Sequence, residues 1–86
     1  MRDVTRASDP RVETQARLSR RELDVLEMTA RGMTNSQVGA SLNVSVHAVK
    51  FHLGSIYRKL KVANRTEAAI FYMRTIAPAE HSHQAE

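Results

Sequence analysis

The residues best suited to chemistry in this chain are cations concentrated in one stretch. Between Met28 and Thr66 the sequence has no Asp or Glu, and the whole chain carries a net charge of +4. That stretch holds Arg31, His47, Lys50, His52, Arg58, Lys59, Lys61 and Arg65. A block of one charge sign attracts a polyanion, which we expect as the partner. A basic run on an inert solvated face is the open alternative.

The sequence contains few of the residue patterns that are typical of enzymes. The chain has no cysteine, which excludes disulfides, thiolate metal sites and Cys nucleophiles. No paired carboxylates, Gly-rich phosphate loop or Ser/His/Asp arrangement is recognisable. His81 and His83 lie in a polar tail, where two imidazoles rarely hold a metal ion alone. We expect no enzyme, no metal site and no cofactor, and we expect Glu22 to form a structural ion pair with a base of the third or fourth helix.

Capping patterns place four helices around the basic residues. Ser19–Glu22, Thr34–Gln37 and Asn64–Glu67 have the spacing of a capping box, and Ser45 can cap another start. No strand of comparable quality appears, so the predicted fold is all-α. The predicted helices are 20–31, 35–42, 46–60 and 65–76.

The ends of these helices are predicted by residues that stop a helix. Gly32 and Asn43 tolerate the left-handed conformation, and Pro78 prevents the last helix from continuing. Only three residues separate helices two and three, so these helices must cross steeply, as in a helix-turn-helix. An ordinary αα-hairpin is the alternative.

The residue types meet the packing demands of that motif. Helix two needs a small residue where helix three presses on it, and apolar residues must line the inside. The residues assigned to this packing are Val38, Gly39, Leu42, Val44 and Val49.

Helix three separates into two faces. At about 100° per residue, the buried stripe consists of Val49, Leu53, Ile56 and Leu60. The opposite side carries His47, Phe51, Gly54 and Arg58, flanked by Lys50, Ser55 and Lys61. Such a face suits a recognition helix, with cations for phosphates and short or flat side chains for base edges. A solvent-facing Phe51 needs a partner, which is either a thymine methyl group or a neighbouring helix.

Five blocks of the sequence are similar to a known family. They begin at Leu18 (LSRRELDVL), Arg31 (RGMTN), Val49 (VKFHL), Ile56 (IYRKLKV) and Asn64 (NRTEA). In this order and spacing they resemble the LuxR/GerE-type DNA-binding domain of bacterial transcription regulators, which includes the output domains of NarL/FixJ-type response regulators. The resemblance extends from Leu18 to about Arg74.

The resemblance implies a four-helix domain without a wing, whose third helix (about 46–61) reads the major groove of double-stranded DNA. It implies sequence-specific binding, with RNA polymerase as a further candidate partner. The residues predicted to bind DNA are His47, Lys50, Phe51, Gly54, Arg58, Lys59 and Lys61. The lysines and Arg58 are assigned to phosphates, and His47, Lys50 and Phe51 to bases.

Two glycines depart from the family pattern. The family usually has a longer polar or basic side chain in place of Gly54, so one expected base contact is absent and the sequence preference is in doubt. Gly39 replaces a more common alanine, which is a harmless change on size grounds.

Helix four is apolar on more than one side. One side must close the core, and the other is expected to form a homodimer contact, which the resemblance also implies. Ala68, Phe71 and Tyr72 are assigned to that contact. Complete burial of the helix by helices one and three is the alternative.

From the composition we expect a flexible polar arm (1–16), the helix-turn-helix domain (17–76) and a flexible tail (77–86). The longest apolar run, Ala68–Met73, is far shorter than a membrane span of about 20 residues, and no secretory signal is visible. We expect a cytoplasmic, nucleoid-associated protein. It is either a stand-alone GerE-like regulator, which Met1 and the polar arm favour, or an excised output domain.

Two other functions fit the same fold. A protein-interaction module would keep the helices but bind DNA weakly, and Gly54 is its best support. A promoter-recognition domain of a sigma factor has a similar helix-turn-helix, but the blocks after Ile56 fit it less well. The transcription regulator is the function that we favour.

Overall fold

The computed structural model describes residues 17–77, in which every regular element is helical. The helices are α1 (Arg20–Ala30), α2 (Asn35–Leu42), α3 (Val46–Leu60) and α4 (Arg65–Phe71), and α4 continues into a π-helical segment, Tyr72–Ile76. The predicted all-α, four-helix fold is confirmed. The arm (1–16), residues 78–86 of the tail and the two histidines in that tail lie outside the described residues. None of the helices in residues 17–77 has the length and apolar character needed to cross a membrane.

Side chains cap the first three helices as predicted. The Ser19 hydroxyl accepts a hydrogen bond from the Glu22 N–H at 3.0 Å, and the Glu22 carboxylate accepts one from the Ser19 N–H at 2.9 Å. Thr34 and Gln37 form the same reciprocal pair at the start of α2. Ser45 caps α3. These bonds satisfy N–H groups that would otherwise lack partners in the first turn.

The capping box predicted at α4 is wrong in one of its two bonds. The Asn64 side chain accepts from the Glu67 N–H at 3.0 Å, as expected, but the Glu67 carboxylate accepts from the Ala63 N–H at 2.7 Å. The Asn64 backbone is almost fully extended (φ −157°, ψ −179°), which brings the preceding N–H within reach of the carboxylate.

The core lies where α1, α3 and α4 meet, and α2 closes it against α3. It contains Leu18, Val25, Leu26, Val38, Val49, Leu53, Ile56, Leu60, Ala68 and Tyr72. The predicted stripe of α3 is buried, and its members are 0–8% exposed. Each fully buried Leu, Ile or Val contributes roughly 1.5–3 kcal/mol of hydrophobic stabilisation, so this stripe fixes the side that α3 turns outward.

A close backbone approach at Gly39 sets the angle between α2 and α3. The Val44 N–H donates to the Gly39 carbonyl at 2.9 Å. A Cβ atom on Gly39 would lie 2.7 Å from the Val44 carbonyl oxygen and 3.6 Å from the Val49 side chain. The expectation that alanine and glycine are interchangeable here on size grounds is therefore wrong, because alanine requires the backbone to shift. Val38 and Val49 are buried beside this contact, and Leu42 and Val44 are half-buried.

Among residues 17–77, three end helices in the left-handed region. Gly32 (φ 95°) and Asn43 (φ 59°) do so as predicted, whereas Lys61 (φ 59°) was not foreseen. This conformation costs a lysine roughly 1–2 kcal/mol. A hydrogen bond from the Val62 N–H to the Tyr57 carbonyl at 3.0 Å holds the turn closed.

Candidate nucleic-acid interface

One face of α3 is directed away from the core. His47, Lys50, Phe51 and Arg58 are exposed on it, and Gly54 lies between Phe51 and Arg58. Helical geometry places His47, Phe51, Gly54 and Arg58 within about 60° of one another, with Lys50 at their flank. We call these five residues the α3 face. The structure thus brings together five of the predicted DNA-binding residues, and Lys61 is exposed at the end of the helix.

Phe51 is the most unusual member of the α3 face. Its side chain is 70% exposed, and its ring meets the His52 ring edge-on at 6.0 Å between centroids. Within residues 17–77, Phe51 therefore does not pack on a neighbouring helix, and that alternative is wrong. A large apolar ring left in water favours a contact with another molecule.

Lys59 is turned away from the α3 face. Its ammonium lies 2.8 Å from the Glu22 carboxylate, which also accepts a 2.6 Å hydrogen bond from the Ser55 hydroxyl. The ion pair expected for Glu22 is confirmed. A phosphate contact by Lys59 would compete with that pair, and losing the pair would leave the carboxylate of Glu22, which is only 8% exposed, without its cation.

The Glu22 cluster keeps its charge over a wide pH range. Burial by itself would raise the pKa of Glu22. Hydrogen bonds from Lys59, Ser55 and the Ser19 N–H, together with the Lys59 charge, outweigh burial and lower that pKa to about 2. The charged carboxylate therefore joins α1 to α3 and holds the α3 face in one orientation.

Two arginines that the sequence left unassigned tie the helices together. Arg65 donates to the Asn35 side chain at 2.9 Å and so connects the start of α4 to the start of α2. Arg21 donates to the Leu42 carbonyl at 3.3 Å, at the end of α2. No local sequence pattern predicts these contacts, because the acceptors lie 30 and 21 residues away in the sequence.

The acids of the described residues lie away from the α3 face. Along α1, Asp24 pairs with Arg20 at 3.4 Å and Glu27 with Arg31 at 2.7 Å. Helices α2 and α3 and the turn between them contain no acid, so the field over the α3 face is positive. Within residues 17–77 no three His, Cys, Asp or Glu side chains could together hold a metal ion.

Helix α4 differs from its predicted arrangement. Ala68 and Tyr72 are 0% and 9% exposed, so their assignment to a dimer contact is corrected: both belong to the core. Phe71 is half-buried. Complete burial of α4 is equally wrong, since Ile70 and Met73 are 46% and 39% exposed. Ile70 also lines a surface groove of about 240 Å³, together with Val62, Glu67, Phe71, Arg74 and Thr75.

Known proteins share this arrangement of residues. The family described as "Bacterial regulatory proteins, luxR family" matches residues 16–72 of the chain. The chain belongs to the luxR family. This match includes α1–α4 and the whole α3 face, so the helix-turn-helix described above is that of a luxR-family domain.

Three curated relatives show how far the similarity extends. The chain is 42% identical over 57 residues to the nitrate/nitrite response regulator protein NarP of Escherichia coli (strain K12) and 40% identical over 57 residues to the transcriptional regulatory protein LiaR of Bacillus subtilis (strain 168). It is 55% identical over 51 residues to the transcriptional activator protein RaiR of Rhizobium etli. The matches cover 66%, 66% and 59% of this chain but 26%, 27% and 21% of the relatives. The chain thus spans about a quarter of the length of these curated relatives. No solved structure matches it.

Proposed function

We propose that this chain binds double-stranded DNA as part of a bacterial transcription regulator, with the α3 face in the major groove. The acid-free α3 face of a luxR-family helix-turn-helix is the observation that carries the proposal. The names of the relatives, which are those of regulators and activators of transcription, support the same role. A protein that acts on the chromosome works in the cytoplasm, where we place it.

The DNA contacts divide into two groups. Lys50, Arg58 and Lys61 contact phosphates, because their charges lie exposed at the edge and end of the α3 face. His47 and Phe51, with Lys50, approach the base edges from the centre of the face. Lys59 is left out of this set, since its ammonium is held by Glu22.

Salt-dependent binding tests this proposal directly. We expect a labelled duplex to bind the chain with an affinity that falls steeply between about 50 and 200 mM salt, because cations on the protein release counterions from DNA. Lys50→Ala should weaken binding and reduce the salt slope by roughly one ion. Arg20→Ala is the matched control, since Arg20 is an exposed cation on α1, and it should change neither quantity.

A protein-interaction module gives a different result in the same titration. It would show no salt-dependent binding in the micromolar range, and Lys50→Ala would behave as wild type. That outcome would overturn DNA binding and assign the exposed Phe51 to a protein partner.

We also propose that two copies associate through the exposed side of α4. Ile70 and Met73 expose apolar surface there, and Ile70 also lines the groove described above. A two-fold contact would present two α3 faces to half-sites about one helical turn apart. The contact would use Ile70 and Met73 rather than Ala68 and Tyr72.

A further inference from the structure

Gly54 has no side chain and so leaves a gap in the α3 face, which we call the notch. The fold does not require glycine at this position. Within residues 17–77, a Cβ atom added there would meet only the Arg58 guanidinium, at 3.7 Å. Gly54 also has no positive φ that would demand glycine. A glycine inside a helix is destabilising by about 1 kcal/mol relative to alanine. Since folding gains nothing from it, the reason for this glycine is to be sought in the surface that it opens.

Along α3 the notch lies about one turn after Phe51 and about one turn before Arg58. The backbone of Phe51 is about 4.5 Å from that of Gly54 along the helix axis, and the Phe51 ring is 70% exposed. The Arg58 side chain leans back over Gly54, so its charge lies at the rim of the notch. The α3 face therefore has an apolar ring beside a gap, with cations around both.

The major groove has one apolar group that matches such a ring. It is the 5-methyl group of thymine, whereas the other base edges present hydrogen-bond donors and acceptors. A phenyl ring against those polar edges would remove their water without replacing its hydrogen bonds, which is unfavourable. An exposed phenyl ring on this face is therefore better suited to a methylated pyrimidine than to the other base edges.

We propose that Phe51 and Gly54 act together as a thymine reader. The Phe51 ring contacts the 5-methyl group, and the missing side chain at Gly54 allows the helix backbone to approach the bases closely enough for that contact. This inference rests on the proposed function, because it assigns a base to the α3 face. Under this proposal Gly54 helps to determine base specificity, and its missing side chain is more than the absence of one base contact.

The test removes the methyl group alone. Duplexes that bind the full chain are selected from a randomised pool, and each thymine of the selected site is then replaced in turn by deoxyuridine. We expect one thymine in each half-site at which the replacement weakens binding roughly four-fold, the value for losing one buried methyl group. The other thymines should tolerate it.

Three variants test whether Phe51 and Gly54 cause the sensitivity to that methyl group. Phe51→Ala should bind the thymine and deoxyuridine duplexes equally, and Gly54→Ala should bind more weakly and reduce the four-fold ratio. Lys61→Ala is the matched control: it should lower affinity but keep the ratio, because a phosphate contact is indifferent to the methyl group. Circular dichroism establishes that each variant is folded.

The possible failures are distinguishable. If no duplex binds in a salt-dependent way, the proposed function is wrong and the thymine reader falls with it. If DNA binds but no thymine is sensitive to deoxyuridine, or if the four-fold ratio persists in Phe51→Ala, only the thymine reader is overturned.

Discussion

At the scale of single residues, Glu22 links α1 to α3 and adds to the buried stripe in holding the α3 face in place. Its carboxylate accepts from the Ser19 N–H at 2.9 Å, the Ser55 hydroxyl at 2.6 Å and the Lys59 ammonium at 2.8 Å. Two of these donors belong to α3, so a side chain of α1 helps to fix the rotation of α3. The same contact that removes Lys59 from the DNA surface thereby directs the other cations toward it.

We expect the stability of the fold to decrease in acid because of Glu22. Its pKa is about 2 in the folded chain, compared with an ordinary value of 4.5. A lowered pKa stabilises the fold above the ordinary value, and this contribution disappears as the pH falls from about 4.5 toward 2. The difference corresponds to roughly 3 kcal/mol. Urea unfolding followed by circular dichroism between about pH 6 and pH 2.5 measures it. Glu22→Gln should flatten the profile, and an unchanged profile in that variant would contradict the assignment.

Thr29 provides a second test at the residue scale. Its side chain is buried at 3% exposure, and its hydroxyl has no hydrogen-bond partner within residues 17–77. An unpaired buried hydroxyl is destabilising by about 1–3 kcal/mol. Thr29→Val keeps the shape and removes the hydroxyl, so it should raise the melting temperature by about 4–8 °C per kcal/mol gained. Thr66→Val, at an exposed position, should bring no such gain, and a lower melting temperature for Thr29→Val would show that the hydroxyl is bonded in solution.

At the scale of the helices, two glycine-to-alanine changes should alter the free energy of unfolding in opposite directions. Gly54→Ala adds a Cβ in ordinary van der Waals contact with the Arg58 guanidinium, 3.7 Å away, and should stabilise α3 by about 1 kcal/mol. Gly39→Ala places its Cβ 2.7 Å from the Val44 carbonyl oxygen and should destabilise the helix-turn-helix by about 1–3 kcal/mol. Thermal unfolding by circular dichroism gives both values. Equal effects of the two changes would mean that the helix crossing relaxes without strain.

The helices themselves were predictable because their signals are local. Ser19 and Thr34 cap the segments that follow them within three residues, and Asn43 ends α2 through its own backbone conformation. The 3.6-residue period likewise predicted that Val49 and Ile56 are buried. Each of these inferences needs only a few neighbouring residues.

Contacts between distant residues account for most of what was missed. The sequence predicted that Glu22 pairs with a base of the third or fourth helix, but it did not show which one, because the partner is 37 residues away. Lys59 was therefore grouped with the DNA-binding cations. One signal was present, since Glu22 shares a helix face with Val25 and Leu26 and a buried acid requires a cation. The left-handed turn at Lys61 had no such signal, because lysine does not favour it.

The dimer contact proposed for α4 was also hard to predict from the sequence, because the helix is apolar on several sides. Almost every position from Ala68 to Met73 is apolar, so periodicity does not say which side faces the core. Packing against α1 and α3 decides it, and places Ala68 inside and Ile70 outside.

At the scale of the whole molecule, we expect self-association through the exposed side of α4. Ile70→Glu places a charge in the proposed contact and should convert the protein to a monomer, because an unpaired charge is not tolerated in a buried interface. Sedimentation velocity over a range of concentrations measures the change. Phe51→Ala also alters an exposed apolar residue but should leave association as in wild type. Association that survives Ile70→Glu would place the dimer contact elsewhere.

The central claim is that the α3 face is the surface that meets DNA. The most direct measurement is a ¹⁵N–¹H NMR titration of the full chain with a selected duplex. Our account predicts that the largest shifts and broadening occur at the amides from His47 to Arg58 and at Lys61, while Asp24–Met28 on α1 change little. Large changes on α1 or α4 with the α3 amides unmoved would contradict the account and place DNA on a different surface.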